Sequence, residues 1–137
     1  MATLVITDAY IVVNGVNLSD HCKSVAFSFN ANMLDDTVMG YTVKSNHPGL
    51  FEWSLDIELL NDYAAGSIDA TMFALVGAVA FPIEVRPTSA AVGVNNPKFT
   101  ANGVLATYDP VNAKIGELAT AKCSIKCAGG NLVRSVA

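Results

Sequence analysis

The sequence predicts a mostly β fold of the α+β class: an antiparallel β-sandwich or open barrel with one flanking helix and a long arm. Residues 51–61, FEWSLDIELLN, alternate between apolar and polar side chains, as expected of a strand with one buried and one wet face. The segments 22–30 and 117–127 repeat this alternation. Only residues 67–77 show the spacing of three and four that is typical of an amphipathic helix.

Size and composition limit what such a fold contains. The 137 residues suffice for one domain, 1–137, built around one core. Hydrophobic residues make up 52% of the chain and charged residues 15%, against about 25% charged residues in a typical globular domain. We therefore expect part of the apolar surface to contact other molecules.

Membrane, secretory and nucleic-acid-binding functions are disfavoured. The longest apolar stretch, residues 72–83, is interrupted by Gly77 and Pro82, so we expect no membrane span. The N-terminal MATLVITDAY lacks the basic residues of a secretory signal, which predicts synthesis in a cytosol. A net charge of -4 is too acidic for tight binding to nucleic-acid phosphates.

The first predicted elements are a hairpin and a strand. Asn14-Gly15 separates two β-rich runs, 10–13 and 16–18, and suits the positive φ angles of a two-residue turn. The strand 22–30 follows, and its larger side chains are predicted to face the core: Val25, Phe27 and Phe29. Its wet face is small and polar, with Ser24, Ala26, Ser28 and Asn30.

Residues 31–50 form the predicted arm. They show no sustained period, and loops of this length are usually functional or disordered until they meet a partner. The segment is too apolar for a solvated linker, because it contains Met33, Leu34, Val38, Met39, Tyr41 and Val43. We expect the arm to become ordered between subunits.

The strand 51–61 leads into the helix. Its predicted core face is Phe51, Trp53, Leu55, Ile57 and Leu59, and its predicted wet face is Glu52, Ser54, Asp56 and Glu58. A turn over residues 61–66 then reaches Ser67, the expected N-cap, with Asp69 complementing the positive helix end. The helix stripe that faces the sheet is predicted to be Ile68, Met72, Leu75 and Val76.

The remaining elements are strands. Residues 79–86 contain Pro82, which predicts an edge strand or a bulge because proline cannot donate to the ladder. A loop over 87–97 separates them from strands at 99–108 and 117–127, and a short strand at 132–136 follows Gly129-Gly130. In 117–127 the odd positions from Ala119 to Cys127 are predicted to face the core. The residues predicted to face solvent are Leu118, Thr120, Lys122, Ser124 and Lys126. The total is six to eight strands.

Catalytic chemistry finds little support. The chain has two histidines, no Gly-x-Ser-x-Gly motif and no phosphate loop, which argues against an enzyme. Asp56 with Glu58, or Asp35 with Asp36, could form a carboxylate pair. An exposed strand face explains the first pair and a solvated turn the second, and we favour these structural readings.

Metal and disulfide sites are equally weak. Cys123 and Cys127 share a strand face but lie about 13 Å apart, too far to bridge or to bind one metal. Adding Cys22, His21 and His47 does not give the closely spaced ligand pairs that are typical of zinc sites. We predict structural cysteines, hydrogen-bonding histidines, and no cofactor or metal.

Three segments together carry a resemblance to a known family. They are LDDTVMGYTVKSNHPGL, FEWSLDIELLNDYAAGSIDATMFALVG and NPKFTANGVLATYDPVNAKIGELATAKCSIKCAGG. The chain resembles the major tail tube proteins of long-tailed, siphovirus-type bacteriophages, especially those infecting actinobacteria. The resemblance covers roughly residues 5–135 and lies in the overall pattern rather than in a short motif.

The resemblance implies a structural virion protein. Its subunits would form hexameric rings that stack head to tail into a hollow tail tube, through which DNA passes into the host without specific binding. The implied partners are the tape measure protein, the tail terminator and distal tail proteins. The implied location is the phage tail, after synthesis in the bacterial cytoplasm.

Electrostatics then predicts which face lines the tube. Duplex DNA carries one negative charge per about 1.7 Å, so a neutral or acidic wall would let it slide. The predicted lumen-facing residues are Ser24, Ser28, Glu52, Ser54, Asp56 and Glu58. Lys122 and Lys126 run against a uniformly acidic wall, and we expect them to pair with these acids across strands.

Two alternatives remain open at this point. A capsid decoration protein, or another minor virion binding module, could use the same sandwich without forming a tube. The second alternative is a small hydrolase or isomerase built on a β scaffold.

Overall fold

The computed structural model describes residues 5–64, 67–130 and 132–136. Eight strands occur in this part of the chain: β1 Tyr10–Val13, β2 Val16–Asn17, β3 Cys22–Asp35, β4 Asn46–Leu60, β5 Phe81–Arg86, β6 Lys98–Tyr108, β7 Thr120–Cys127 and β8 Val133–Ser135. A helix, α1 Ile68–Leu75, lies between β4 and β5, and a short 3-10 turn, Ser19–His21, precedes β3. The predicted mostly β class with one α-helix is confirmed.

All the strands belong to one antiparallel sheet. Their order is β2-β1-β5-β6-β7-β4-β3, and β8 pairs with the first residues of β6. In a flat sheet β3 and β6 would lie about 14 Å apart, because three strand spacings separate them. The rings of Phe27 on β3 and Phe99 on β6 are nevertheless 6.3 Å apart between centroids. The sheet therefore curls over on itself.

The core fills the inside of this curled sheet. Trp53, Leu55, Ile57 and Leu59 of β4 are buried, as the alternation predicts. They join buried side chains from α1 and from β1, β5, β6 and β7: Ile11, Val13, Ile68, Met72, Leu75, Phe81, Ile83, Val85, Leu105, Cys123 and Ile125. One continuous apolar cluster results.

The opening hairpin forms as predicted. Asn14 and Gly15 both adopt positive φ angles, 51° and 79°, which the two-residue turn between β1 and β2 requires. The Ile11 N–H donates to the Ser19 hydroxyl at 2.9 Å and ties the 3-10 turn to β1.

The arm is a β-hairpin, whereas the sequence predicted a segment without regular structure. β3 continues to Asp35 and β4 begins at Asn46, so only residues 36–45 lie outside strands. Sequence periodicity missed the extension because both faces of this ribbon are exposed, which removes the alternation that burial imposes. Phe29 and Phe51, predicted for the core, are 54% and 65% exposed because they lie where the hairpin leaves the sheet.

The helix is shorter than predicted. It follows Ser67 at the N-cap position, but the Ser67 hydroxyl does not bond the helix backbone. Val76, predicted for the buried stripe, is the C-cap and is exposed, since α1 ends at Leu75 and Gly77 turns the chain with a φ of 73°. The predicted turn over 61–66 includes residues 65 and 66, which lie outside the described residues. No described helix has the length and apolar character needed to cross a membrane.

The edge-strand prediction for Pro82 is wrong. β5 lies inside the sheet, between β1 and β6. Pro82 is tolerated because it is the second residue of the strand, beyond the last β1 pair at Val13–Ile83, and its carbonyl accepts the Asn14 N–H at 2.8 Å. The missing N–H therefore faces the hairpin turn and leaves no ladder bond broken.

The C-terminal strands match their predictions apart from their ends. β7 begins at Thr120, so residues 117–119 belong to the preceding loop. β8 confirms the short last strand, which pairs Lys98 with Ser135.

Candidate assembly surfaces

The outer surface of β3, β4 and β7 carries the predicted wet face, here called the polar face: Ser24, Ser28, Glu52, Ser54, Asp56, Glu58, Lys122, Ser124 and Lys126. Its members are all exposed or half-buried. The strand register arranges them in rows, so that Ser24, Glu58 and Lys122 lie side by side. A second row runs through Ala26, Asp56 and Ser124. The predicted alternation between a buried and a wet side is therefore observed on β4 and β7, whereas on β3 the predicted core positions Val25 and Phe27 are only half-buried.

Lys122 lies directly opposite Glu58, as the predicted cross-strand pairing requires, and Lys126 lies opposite Ser54. The described ion pairs of 4.0 Å or less lie elsewhere, at Glu84 with Arg86 and Lys98 and at His21 with Asp62. Lys122 is therefore in register with Glu58 but does not form an ion pair with it at 4.0 Å or less.

A shallow depression of about 340 Å³ lies in the polar face, where β6 has an irregularity between Leu105 and Thr107. It brings together the carboxylates of Asp56 and Glu58 with Lys122. Carboxylates beside an ammonium group on an open surface form a hydrated charged patch. No described residues form a group of three His, Cys, Asp or Glu side chains suited to a metal ion.

The arm exposes all six apolar residues that the sequence assigned to it: Met33, Leu34, Val38, Met39, Tyr41 and Val43. Their exposed fractions range from 50% at Leu34 to 100% at Met39. Phe29, Leu50 and Phe51 extend the same surface, and the rings of the two phenylalanines lie 5.7 Å apart. The sequence analysis did not include these three residues in the exposed apolar surface. Alternation placed Phe29 and Phe51 in the core, and Leu50 follows the turn-forming residues that end the arm.

The tip of the arm, residues 36–45, is an ordered turn. The Asp35 carboxylate accepts the Thr37 N–H at 3.0 Å, and Thr37 Oγ1 accepts the Ser45 N–H at 2.7 Å. Hydrogen bonding to Asp35 from the Thr37 side chain, and then from the Thr37 backbone N–H, holds the pKa of Asp35 below its usual value. Asp35 and Asp36 therefore lie at an exposed, hydrogen-bonded turn, which agrees with the solvated turn favoured from the sequence.

The buried titratable groups have structural roles. Burial, and secondarily Asp109, raises the pKa of the Cys123 thiol to about 12, so it stays protonated at neutral pH. The Tyr108 hydroxyl donates to Asp69 at 2.7 Å and links β6 to the start of α1. Cys22 and Cys127 are free and half-buried.

A second groove lies at the end of the sheet farthest from the arm tip. This end groove, about 730 Å³ in volume, is lined by Lys23, Glu58, Leu60, Asn112, Ala113, Lys114, Glu117, Leu118, Thr120 and Lys122. Exposed Val111, Ile115 and Leu118 lie in the loop that forms its wall. The sequence predicted an outward Leu118 but did not reveal the groove, which requires the β6–β7 loop to meet the start of β3.

Comparison with known proteins places the fold. No protein-family model matches the sequence, and no curated protein matches it significantly. A chain from the virion of a native gene transfer agent particle matches with a TM-score of 0.74 at 13% sequence identity, over 93% of this chain and 95% of that chain. A chain from the tail of an empty gene transfer agent particle, with C6 symmetry, matches with a TM-score of 0.63 at 14% identity, over 82% and 81%.

A third structure is more distant. The Dit protein of phage SPP1, described as a hub of the adsorption apparatus in phages that infect Gram-positive bacteria, matches with a TM-score of 0.50 at 15% identity. The match covers 87% of this chain but 49% of that chain. At these identities the likeness is one of fold, and the predicted similarity to phage tail proteins is confirmed at that level.

Proposed function

We propose that this protein is the subunit of a phage-type tail tube, in which hexameric rings stack into a hollow cylinder that delivers DNA into the host. The observation that carries the proposal is the shared fold with a chain of a C6-symmetric tail, over 82% of this chain. The role is structural, in a virion tail.

The exposed apolar surface supports self-assembly. A free subunit would leave nine apolar side chains of the arm hairpin in water: Phe29, Met33, Leu34, Val38, Met39, Tyr41, Val43, Leu50 and Phe51. Phe29 and Phe51, whose rings lie 5.7 Å apart, form a continuous part of this apolar surface, and exposed apolar patches mark interaction sites. Covering it with a neighbouring copy would remove the apolar surface from water.

The sheet edge supports the same conclusion. β3 is the last strand in the sheet order, so no other described strand pairs with the outer side of its 14-residue backbone. Long exposed edges invite pairing with another chain. A heterologous contact closes into a ring when the rotation closes and extends into a filament when it does not. Two such contacts per subunit suffice for stacked rings.

The polar face is our candidate for the wall of the bore. Its carboxylates, Glu52, Asp56 and Glu58, lie beside Lys122 and Lys126, so it is close to neutral and offers DNA no strongly basic track. Ser24, Ser28 and Ser54 complete the set. A structure of the assembled tube in which these acids lie on the outer wall would overturn this assignment.

The proposed partners follow from the tube. They are a tape measure protein inside it, a tail terminator at one end and distal tail proteins at the other. A hub role like that described for Dit is less well supported, because about half of the Dit chain has no counterpart here.

Negative-stain electron microscopy of concentrated, purified protein tests the proposal. We expect tubes or stacked rings with sixfold end views. Discrete particles would instead favour a decoration protein or another virion binding module. Folded protein that stays monomeric, even with the other tail components present, would refute the tube.

A further inference from the structure

The arm tip and the end groove lie at opposite ends of one hairpin. The β3–β4 ladder runs from the Cys22–Leu59 pair to the Asp35–Asn46 pair, with two irregularities. At about 3.3 Å per residue, the tip lies about 45 Å from the groove. The tip therefore cannot reach the groove of its own chain.

The end groove combines apolar surface with a positive excess. Leu60 and Leu118 supply apolar lining, and Lys23, Lys114 and Lys122 outnumber Glu58 and Glu117. None of the three lysines takes part in the ion pairs found among the described residues. All three lysines are exposed, so each can pair with an incoming carboxylate.

The arm tip and its base have the complementary character. Val38, Met39, Tyr41 and Val43 are exposed, and Asp35 and Asp36 outnumber Lys44. The Thr37 hydrogen bonds orient the Asp35 carboxylate, while Asp36 uses its backbone N–H to bond the Ser45 carbonyl and leaves its side chain in solvent. An apolar protrusion flanked by acids thus matches an apolar groove flanked by lysines.

We propose that the arm tip of one copy binds in the end groove of a second copy stacked head to tail, with Asp35 and Asp36 beside Lys23, Lys114 and Lys122. This contact deepens the proposed tube and rests on it. Because the two surfaces differ and lie at opposite ends of the hairpin, the contact is heterologous and propagates along the hairpin direction. It is the contact between rings, and sideways pairing within a ring remains a separate contact.

Zero-length carbodiimide cross-linking tests the contact directly. Tubes assembled from a mixture of isotopically light and heavy subunits are cross-linked, digested and analysed by mass spectrometry. We expect mixed-isotope peptides that join Asp36 to Lys114, Lys122 or Lys23. Such peptides can arise only between copies.

Charge reversal supplies the second test. Ultracentrifugation measures the fraction of protein that sediments as assembled tubes. Asp36→Lys alone and Lys114→Glu alone are each expected to lower this fraction about tenfold, because every ring repeats the unfavourable charge pair. Combining the two changes in one chain restores an opposite-charge pair and should restore assembly. Arg134→Glu, an exposed change on β8 outside the groove, is the matched control and should assemble like the unmodified protein.

The outcomes separate this contact from the tube itself. Tubes that yield no mixed-isotope link between the tip and the groove, or a double variant no better than the single variants, would overturn the docking while leaving the tube intact. Folded protein that forms no tubes would overturn both.

Discussion

At the scale of single residues, Gly103 shows how closely the core is packed. A Cβ at this position would lie 2.7 Å from Ile125 Cγ2, 2.7 Å from Trp53 Cη2 and 2.9 Å from the Lys126 carbonyl oxygen. These distances are below contact distance, and one of the three partners is backbone. The β6 strand can therefore cross beneath Trp53 only with glycine at this point.

Gly103→Ala should consequently lower the free energy of unfolding by about 1–3 kcal/mol, the usual cost of overpacking a core. Urea denaturation followed by Trp53 fluorescence measures the change. Gly93→Ala is the matched control, because a Cβ there has no neighbour within 4 Å. Equal stability of both variants would show that the core is looser than described.

Tyr108 illustrates how one partly buried hydroxyl joins two elements. Its O–H donates to Asp69 at 2.7 Å, and it accepts from Asn61 Nδ2 at 3.3 Å. Burial, followed by the hydrogen bond to Asp69, raises the pKa of Tyr108 to about 12. The neutral phenol is therefore favoured in the folded state.

This pKa predicts a pH dependence. The unfolded chain loses the tyrosine proton near pH 10 and the folded chain near 12, so the stability contributed by Tyr108 is complete below pH 10 and decreases as the pH rises to 12. Tyr108→Phe should weaken this decrease in unfolding experiments across that range. The control variant Tyr41→Phe, on the exposed arm, should keep the original dependence. A Tyr108→Phe profile parallel to that of the unmodified protein would contradict the shift.

At the scale of elements, α1 has one buried and one exposed face. Ile68, Met72 and Leu75 enter the core, whereas Phe73 is 70% exposed. The helix contacts β6 and closes one side of the curled sheet. Its eight residues are too few to be stable alone, so packing holds the helix in place.

Met72→Ala should therefore cost about 2–5 kcal/mol of unfolding free energy, since it leaves a cavity under the helix. Phe73→Ser, one residue along on the exposed face, should change stability in the free subunit by no more than about 0.5 kcal/mol. Thermal unfolding followed by circular dichroism compares the two. A larger loss from Phe73→Ser than from Met72→Ala would mean that the helix faces are reversed.

At the scale of the whole molecule, folding and assembly use different parts of the chain. The core lies within the curled sheet and α1, while the outer halves of β3 and β4 contribute exposed side chains. The arm hairpin can therefore be shortened with little effect on the core.

Replacing residues 32–50 with Asn-Gly joins Ala31 to Phe51, which are paired in the ladder, through a two-residue turn. We expect cooperative unfolding to persist and tubes to disappear, as measured by circular dichroism and electron microscopy. A triple variant, Val38→Ser with Met39→Ser and Val43→Ser, keeps the arm length and should also lose assembly. Normal tubes from the shortened chain would refute a role for the arm.

Local pattern predicted much of this molecule because burial leaves a direct trace in the sequence. The alternation of Trp53 to Leu59 identified the core face of β4, and the opposite positions identified the polar face. Outside the buried part of the strands, the sequence pattern no longer predicts the structure. Phe29 and Phe51 continue the apolar pattern yet are exposed, and residues 31–35 and 46–50 form strands without alternating.

By itself, the sequence determined the fold class, the single helix and the two sides of the long strands, since each depends on side chains a few positions apart. Only the tertiary structure decided that β5 is an interior strand, that the arm is a hairpin and that Lys23, Lys114 and Lys122 share one groove. The position of β5 and the shared groove arise from the order of strands in the sheet, whereas the arm hairpin was missed because both of its faces are exposed. Strand order depends on contacts between residues far apart in the chain, which no local period encodes.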